Sequence, residues 1–241
     1  MRGEPQVPID WANTPTGFVT AQRLKYLVGL GALVKLFDDS EKSPTDRESL
    51  LRDAISDQGA SIQLRLGDEY YVTDMDVPKY LSASEDSLQI PGGQFALLKT
   101  HERVEVPRDY MALISLRSGT KLKGLVNVSG FHVDPNYEGP IQYGVFNAGP
   151  TTIVLRRRDP LFLVFFYRLA ESAEKEYCYG GKPKERLDGG LISALKGRPV
   201  SLASLDKDVD SLKLQVRIFI GLFGTLFAAV VALIVKVVAD S

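Results

Sequence analysis

The sequence predicts an all-β fold, a distorted β-barrel or jelly roll, with short N-terminal helices ahead of it and a transmembrane helix behind it. Two observations carry that prediction. Between Ala60 and Leu169, short runs of alternating apolar and polar residues are separated by Gly, Pro and Asp, the pattern of half-buried strands joined by turns. From Ile218 to Val235 the chain reads IFIGLFGTLFAAVVALIV, eighteen residues without a charge.

Taken in order, residues 1–16 hold three prolines and little periodicity, which predicts a loose leader. The opening Met-Arg-Gly-Glu-Pro-Gln-Val-Pro has no apolar run, so no signal peptide is expected. Residues 17–59 form an N-terminal helical segment. Within it Leu24, Leu27 and Val28 share one helical face, and Gly29 and Gly31 break the pattern. Pro44-Thr-Asp-Arg-Glu48 has the composition of a second, short helix start. The β domain covers 60–170, with strands expected at Ser61–Leu66, Phe95–Thr100, Met111–Leu116, Ile141–Phe146, Thr152–Leu155 and Leu161–Phe166. Residues 171–216 are polar and glycine-bearing, a lid or linker, and 217–239 form the transmembrane helix.

Physical length supports that last assignment. Eighteen residues at 1.5 Å each cover about 27 Å, and about 33 Å if continued to Ala239, against a hydrocarbon core of about 30 Å. Twelve of the eighteen are Ile, Leu, Phe or Val, which favours insertion by about 5 kcal/mol. Lys236 lies near the end, where it can snorkel. Lys207, Lys213 and Arg217 precede the run, so the positive-inside rule puts the large N-terminal part in the cytoplasm. Gly224, Ala228 and Ala232 make a small-residue face that lets helices approach.

Composition removes several functions. Among 241 residues, 29 Lys and Arg stand against 30 Asp and Glu, so no general attraction to nucleic acid follows. A single cysteine, Cys178, excludes an internal disulfide. Two histidines, His101 and His132, with one cysteine leave no zinc-ligand cluster, which excludes the zinc-dependent type of nucleotide deaminase. No metal-ligand set is expected.

Chemistry concentrates between Arg117 and Gly139. Arg117-Ser118-Gly119 sets a guanidinium, a hydroxyl and a permissive backbone side by side, a combination suited to phosphate oxygens. Asp134-Pro-Asn-Tyr137-Glu-Gly139 is a turn that projects a carboxylate and an aromatic ring. Lys182, Lys184 and Arg186 read as a solvated basic loop, and His132 as a strand histidine.

This pairing resembles the dUTPase and dCTP deaminase superfamily, in which an R-S-G or R-S-S motif precedes a D-x-x-Y/W-x-G hairpin. The resemblance extends over about Phe18 to Leu169. Ala60-Ser-Ile-Gln-Leu-Arg-Leu-Gly67 is similar to the family's S-x-D-L-R-L-G strand. Ile90-Pro-Gly-Gly-Gln-Phe-Ala-Leu-Leu-Lys99 and Val106-Pro-Arg-Asp-Tyr110 resemble its L-x-P-G-x-x-x-L and L-P-x-D/N segments. The resemblance implies a β-barrel of dUTPase type that assembles as a homotrimer with nucleotide sites between subunits. It implies that Arg117, Ser118 and Gly119 hold phosphates, that the hairpin backbone at Gly130, Phe131 and Val133 reads a pyrimidine edge, and that Tyr137 packs under the deoxyribose. Asp134 would contact the sugar 3′-OH and, in an enzyme, activate the attacking water with Mg²⁺ as cofactor.

Several positions depart from the family pattern. Gln63 stands where the first motif has Asp, and Leu163 where it has Gln. Arg158-Asp-Pro160 replaces a P-G-x-x-I turn. Gly144, in Ile-Gln-Tyr-Gly-Val-Phe-Asn147, stands where deaminases carry their catalytic Glu, so deamination is not expected. Gly180–Gly190 resembles the family's glycine-rich lid but lacks its stacking aromatic. The first functional reading is therefore a membrane-anchored sensor or effector that binds a pyrimidine nucleotide, with an antiviral nucleotide-signalling role by analogy to antiphage systems with membrane effectors. The alternatives are a membrane-tethered dUTP or dCTP pyrophosphatase and a structural or regulatory partner with a vestigial pocket.

Overall fold

A computed structural model describes residues 16–29, 33–36, 59–181, 185–195 and 202–239. The leader and the helix start at Pro44 lie outside the described residues, as do Lys182 and Lys184. The chain divides into two compact units, 1–198 and 199–241.

The first unit is mostly β. A short strand β1 (Gly17–Phe18) leads into helix α1 (Ala21–Gly29). Thr20 opens this helix with its carbonyl accepting from the Leu24 amide at 2.9 Å, and Leu24 is fully buried. The helix ends at Gly29, and the apolar residues beyond it extend as β2 (Val34–Leu36). Leu33 turns the chain with φ 74°, and pairing with β6 then takes Val34–Leu36 into the sheet. Sequence periodicity cannot show such a partner.

The remaining strands are β3 (Ser61–Val72), β4 (Lys79–Tyr80), β5 (Ser87–Ile90), β6 (Phe95–Glu105), β7 (Tyr110–Leu116), β8 (Leu125–Asn127), β9 (His132–Val133), β10 (Glu138–Asn147), β11 (Ile153–Arg156) and β12 (Pro160–Arg168). A turn of helix, α2 (Ser118–Lys121), follows β7. Among the described residues, the main sheet runs β8-β10-β6-β3-β12-β7-β9, with β1 on β12, β2 on β6 and β4 on β3. Strands β11 and β5 form a separate antiparallel pair.

The long strands curl because β3 changes partner along its length. Its first half pairs with β12 and its second half with β6, with a register shift between Leu66 and Tyr70. Gly67 sits at that bulge. A Cβ there would lie 2.7 Å from the Lys99 carbonyl oxygen and 2.9 Å from that of Thr100, so only glycine lets β3 cross β6 this closely.

The concave side holds the core. Ile62, Leu64, Leu66, Leu98, Val164 and Phe166 are fully buried, and Tyr143 stacks on Phe162 at 4.1 Å. Each such side chain contributes about 1.5–3 kcal/mol by leaving water. Buried polar groups are largely paired. Asn147 donates to the Ile90 and Thr151 carbonyls at 2.8 Å and accepts from the Gly149 amide at 2.9 Å. Buried Glu102 takes both the Arg65 amide at 2.8 Å and its Nε at 2.6 Å.

Beyond β12 the chain returns across this unit. Arg108 grips the Ala173 carbonyl through Nε at 2.9 Å and a terminal nitrogen at 2.6 Å. Further on, helix α3 (Gly189–Leu195) is capped by Asp188, whose carboxylate accepts the Gly190 amide at 2.7 Å. Ile192 and Leu187 pack against Tyr71 and Leu97 in a second apolar cluster.

The second unit contains helix α4 (Leu202–Ala239), 38 residues long. It begins well ahead of the charge-free run. Its stretch Asp208–Lys236 is long and apolar enough to cross a membrane, with mean hydropathy 2.8 over its most apolar window.

Candidate nucleotide site

Strand β7 ends at Leu116, and the main chain at Arg117 is extended before α2 begins. The Arg117 amide donates to the Leu161 carbonyl at 3.0 Å and its guanidinium to the Pro160 carbonyl at 3.1 Å. These bonds fix the guanidinium beside the β11–β12 turn. No side chain caps α2, so the first-turn amides of Ser118 and Gly119 remain available to an acceptor. Arg117, Ser118, Gly119 and Thr120 line a cleft of about 450 Å³ with Lys123, Arg156 and Asp159. Three cations against one carboxylate suit a polyanion such as a phosphate chain.

The hairpin lies elsewhere on the same β unit. Strands β7 and β9 pair with Ala112 opposite Val133 and Leu113 opposite His132. Asn127 shapes the approach, donating to the Gly130 carbonyl at 2.7 Å and accepting from the Ser129 amide at 3.1 Å and hydroxyl at 2.8 Å. Gly130 adopts φ 93°. Asp134-Pro-Asn-Tyr137 closes through the Tyr137 amide on the Asp134 carbonyl at 3.3 Å. Proline at the second position and Asn136 at φ 66° in the third match a type II turn.

A second cleft, of about 290 Å³, is lined by Val133, Asp134 and Tyr137, with Ser129, Gln142 and Tyr179 also at its wall. The Asp134 carboxylate is 53% exposed and lies 3.4 Å from His132 Nε2. The Tyr137 hydroxyl donates to the Pro140 carbonyl at 2.6 Å. Burial, reinforced by Tyr179, pushes this phenol up to about 12, so it is neutral at ordinary pH. Phe131 is exposed and rests on the His132 ring at 4.9 Å; neither it nor Gly130 lines the cleft.

The structure therefore brings Arg117, Ser118 and Gly119 together, and separately brings Val133, Asp134 and Tyr137 together. It does not bring the two groups into one cleft of the chain. The altered positions are also grouped. Leu163 pairs with Gln63 across β12–β3 and with Ser115 across β12–β7, so two of the departures form one cross-strand row. Gly144 has room: a Cβ there would meet Ser129 Cβ at 3.4 Å and Val128 Cγ2 at 3.5 Å, ordinary contacts.

Sequence reading missed Lys123, just after α2, and Arg156, at the end of β11, in the first cleft, and Tyr179 in the second. Tyr179 directly precedes the Gly180-Gly181 pair, and its place beside Tyr137 follows from tertiary contacts. Among the described residues, no group of three His, Cys, Asp or Glu side chains is placed to hold a metal ion. Among the residues that line its cleft, Asp134 contributes the single carboxylate, so these residues alone do not make a Mg²⁺ site.

The family model for dCTP deaminase-like proteins matches residues 43–169, over half of the chain. The chain belongs to the dCTP deaminase-like family. Similar relatives include the dCTP deaminase of Pyrobaculum neutrophilum, 33% identical over 146 residues that cover 56% of this chain and 79% of the relative. The dCTP deaminase, dUMP-forming, of Methanosphaera stadtmanae is 28% identical over 184 residues, 67% of this chain and 93% of the relative. Among solved structures, 2′-deoxycytidine 5′-triphosphate deaminase from Agrobacterium tumefaciens superposes with a TM-score of 0.50 at 18% identity. That match covers 64% of this chain and 50% of that one, and it supports the fold. This dCTP deaminase-like chain thus carries the family's β domain, with a long apolar helix after it.

Proposed function

We propose that this chain is a membrane-anchored sensor that binds a pyrimidine nucleotide, with its β domain in the cytoplasm and α4 as a single span. The observation that carries the reading is a split. The cationic cleft at Arg117–Gly119 keeps phosphate-binding groups, while Gly144 supplies no acid or base where deaminases use one. Phosphate contacts serve binding without chemistry, whereas moving a proton onto a pyrimidine ring requires a titratable side chain. The relatives named above are dCTP deaminases, which supports a pyrimidine nucleotide as ligand. Separate clefts for Arg117 and Asp134 support assembly as a homotrimer in which one subunit's phosphate cleft meets another's hairpin. An apolar helix on a nucleotide-binding domain supports a membrane output, as in antiviral nucleotide signalling.

One observation favours a second reading. Asp134 is an exposed carboxylate beside Tyr137 in an open cleft, placed to draw a proton from water; a dUTP or dCTP pyrophosphatase would use it with Mg²⁺ brought in by the nucleotide's phosphates. The test uses the full chain in mild detergent with dUTP or dCTP and Mg²⁺. Saturable binding lost in Arg117→Ala, with no pyrophosphate release, supports the sensor. Release abolished by Asp134→Ala supports the enzyme. In vesicles, nucleotide-triggered dye leakage that disappears on deleting 218–241 supports the membrane output.

A further inference from the structure

We propose that Arg157 and Arg158 form an oxyanion site apart from the Arg117 cleft, one that takes a phosphate or phosphomonoester group. The two arginines lie in the turn between β11 and β12. They line a third cleft, of about 340 Å³, with Asp68, Tyr80, Lys99 and His101. It shares no lining residue with the two clefts described above.

Charge in this cleft does not balance. Lys99 pairs with Glu69 at 2.9 Å and Arg65 with Glu102 at 2.6 Å, one cation to one carboxylate. Arg157 and Arg158 instead share Asp68. Arg157 Nε and Arg158 Nη1 each donate to Asp68 Oδ1 at 2.7 Å, and the Nη2 atoms reach Oδ2 at 3.4 and 3.1 Å. Both carboxylate oxygens are thereby engaged, while each guanidinium spends only part of its donor set. Other nearby acids serve elsewhere: Asp86 pairs with Arg156 at 3.8 Å, and Asp159 lines the Arg117 cleft. One positive charge is left over in a half-buried place. Burial disfavours the Arg158 guanidinium, and repulsion from Arg157 and Arg65 adds to burial, so that Asp68 offsets only part of the cost. A second anion bridging the two planar forks supplies the missing charge and accepts their remaining N–H groups.

The backbone is bent to make this pair. Arg158 adopts φ 67°, a conformation uncommon outside glycine, with its amide on the Leu66 carbonyl at 3.1 Å. Glycine would meet the needs of a simple chain reversal; here a long cation is held at that angle beside a second one. Strain of this kind clusters at ligand sites. His101, half-buried in the same cleft, feels the charges of Arg158, Arg65, Asp68 and Arg157, so an anion seated between the arginines changes the field at its imidazole.

The test uses the full chain in mild detergent with ¹³C-labelled histidine. Only His101 and His132 give signals, and His132→Gln assigns them. Inorganic phosphate is titrated against chloride at constant ionic strength, and the His101 signal should shift saturably with phosphate alone. Arg158→Gly suits φ 67° and keeps the turn, while Arg157→Gln leaves the strained position untouched. Each should weaken phosphate binding about tenfold or more, whereas Arg117→Ala should leave the His101 response unchanged. Titrating dCMP into the Arg117→Ala chain separates the sources. A His101 shift at lower concentration than phosphate needs identifies a nucleotide's phosphate as the ligand; a shift needing as much or more, or none, identifies the free ion. No saturable shift with phosphate, an equal shift with chloride, full affinity in either arginine variant, or loss of the response in Arg117→Ala would overturn the proposal.

Discussion

The ring of Tyr179 meets that of Tyr137 edge-on, with centroids 5.1 Å apart and planes at 66°. Two hydrogen bonds to the Tyr179 main chain hold the pair. The Tyr179 amide donates to the Pro135 carbonyl at 2.8 Å, and the Asn136 side-chain Nδ2 donates to the Tyr179 carbonyl at 3.4 Å. The segment after β12 is thereby tied to the hairpin that carries Asp134.

Tyr179→Ala removes an aromatic pair worth about 0.5–1.5 kcal/mol beyond its buried area, and it opens one wall of the Asp134 cleft. The full chain in detergent should melt a few degrees lower and bind dUTP or dCTP several-fold more weakly. Tyr179→Phe keeps the ring contact and both hydrogen bonds to the Tyr179 main chain, and so should melt above Tyr179→Ala. Calorimetry and thermal melts measure the two effects.

Two strand glycines should respond oppositely to alanine. At Gly67 a Cβ would press on the Lys99 and Thr100 backbone carbonyls at 2.7 and 2.9 Å, so Gly67→Ala is expected to cost about 2 kcal/mol or more. At Gly144 the added methyl makes ordinary contacts, and relief of glycine's entropy favours the variant by about 0.5 kcal/mol. A melt in which Gly144→Ala loses several degrees would show that glycine is kept there for packing.

His101 sets a pH dependence. Burial, together with the charges of Arg158 and Arg65, lowers its pKa to about 3 from the usual value near 6.5. As pH falls below 6.5 the unfolded chain takes up a proton that the folded chain refuses, so stability falls between pH 6.5 and about 3 and is unaffected above that window. The slope approaches one proton, on the order of 1 kcal/mol per pH unit. His101→Gln should flatten thermal melts collected from pH 7 to pH 4; an unchanged slope would contradict this assignment.

Asp68 acts in a lower window. Burial works to raise its pKa, but hydrogen bonds and charge from Arg157 and Arg158 outweigh burial and hold it below the usual carboxylate value. Arg157 Nε and a terminal nitrogen of Arg158 each donate to it at 2.7 Å. Its contribution is present above the unfolded pKa of about 3.9 and is lost as pH falls through the lower folded value. Asp68→Asn should lower the melting temperature at pH 7, and the loss should shrink as pH falls below the unfolded pKa.

Much of this was legible in the residues themselves. Alternation located the long strands because one face of each is buried and side chains alternate with period 2. The charge-free run marked the apolar helix because insertion depends on length and composition. Arg117-Ser118-Gly119 and Asp134–Tyr137 were legible as local groups, since a turn and the strand end beside it are set by near neighbours. Other features needed three dimensions. The strand fate of Val34–Leu36 depends on the edge of β6, and the row joining Gln63 to Leu163 exists only through β3–β12 register. Arg156 joins Arg117, and Tyr179 joins Tyr137, in clefts lined by residues far apart in the chain. Residue type and spacing determined which groups are present and which segments are strand or apolar helix; tertiary structure decided which of those groups share a cleft, because long-range pairing depends on the whole chain's packing and no local pattern encodes it.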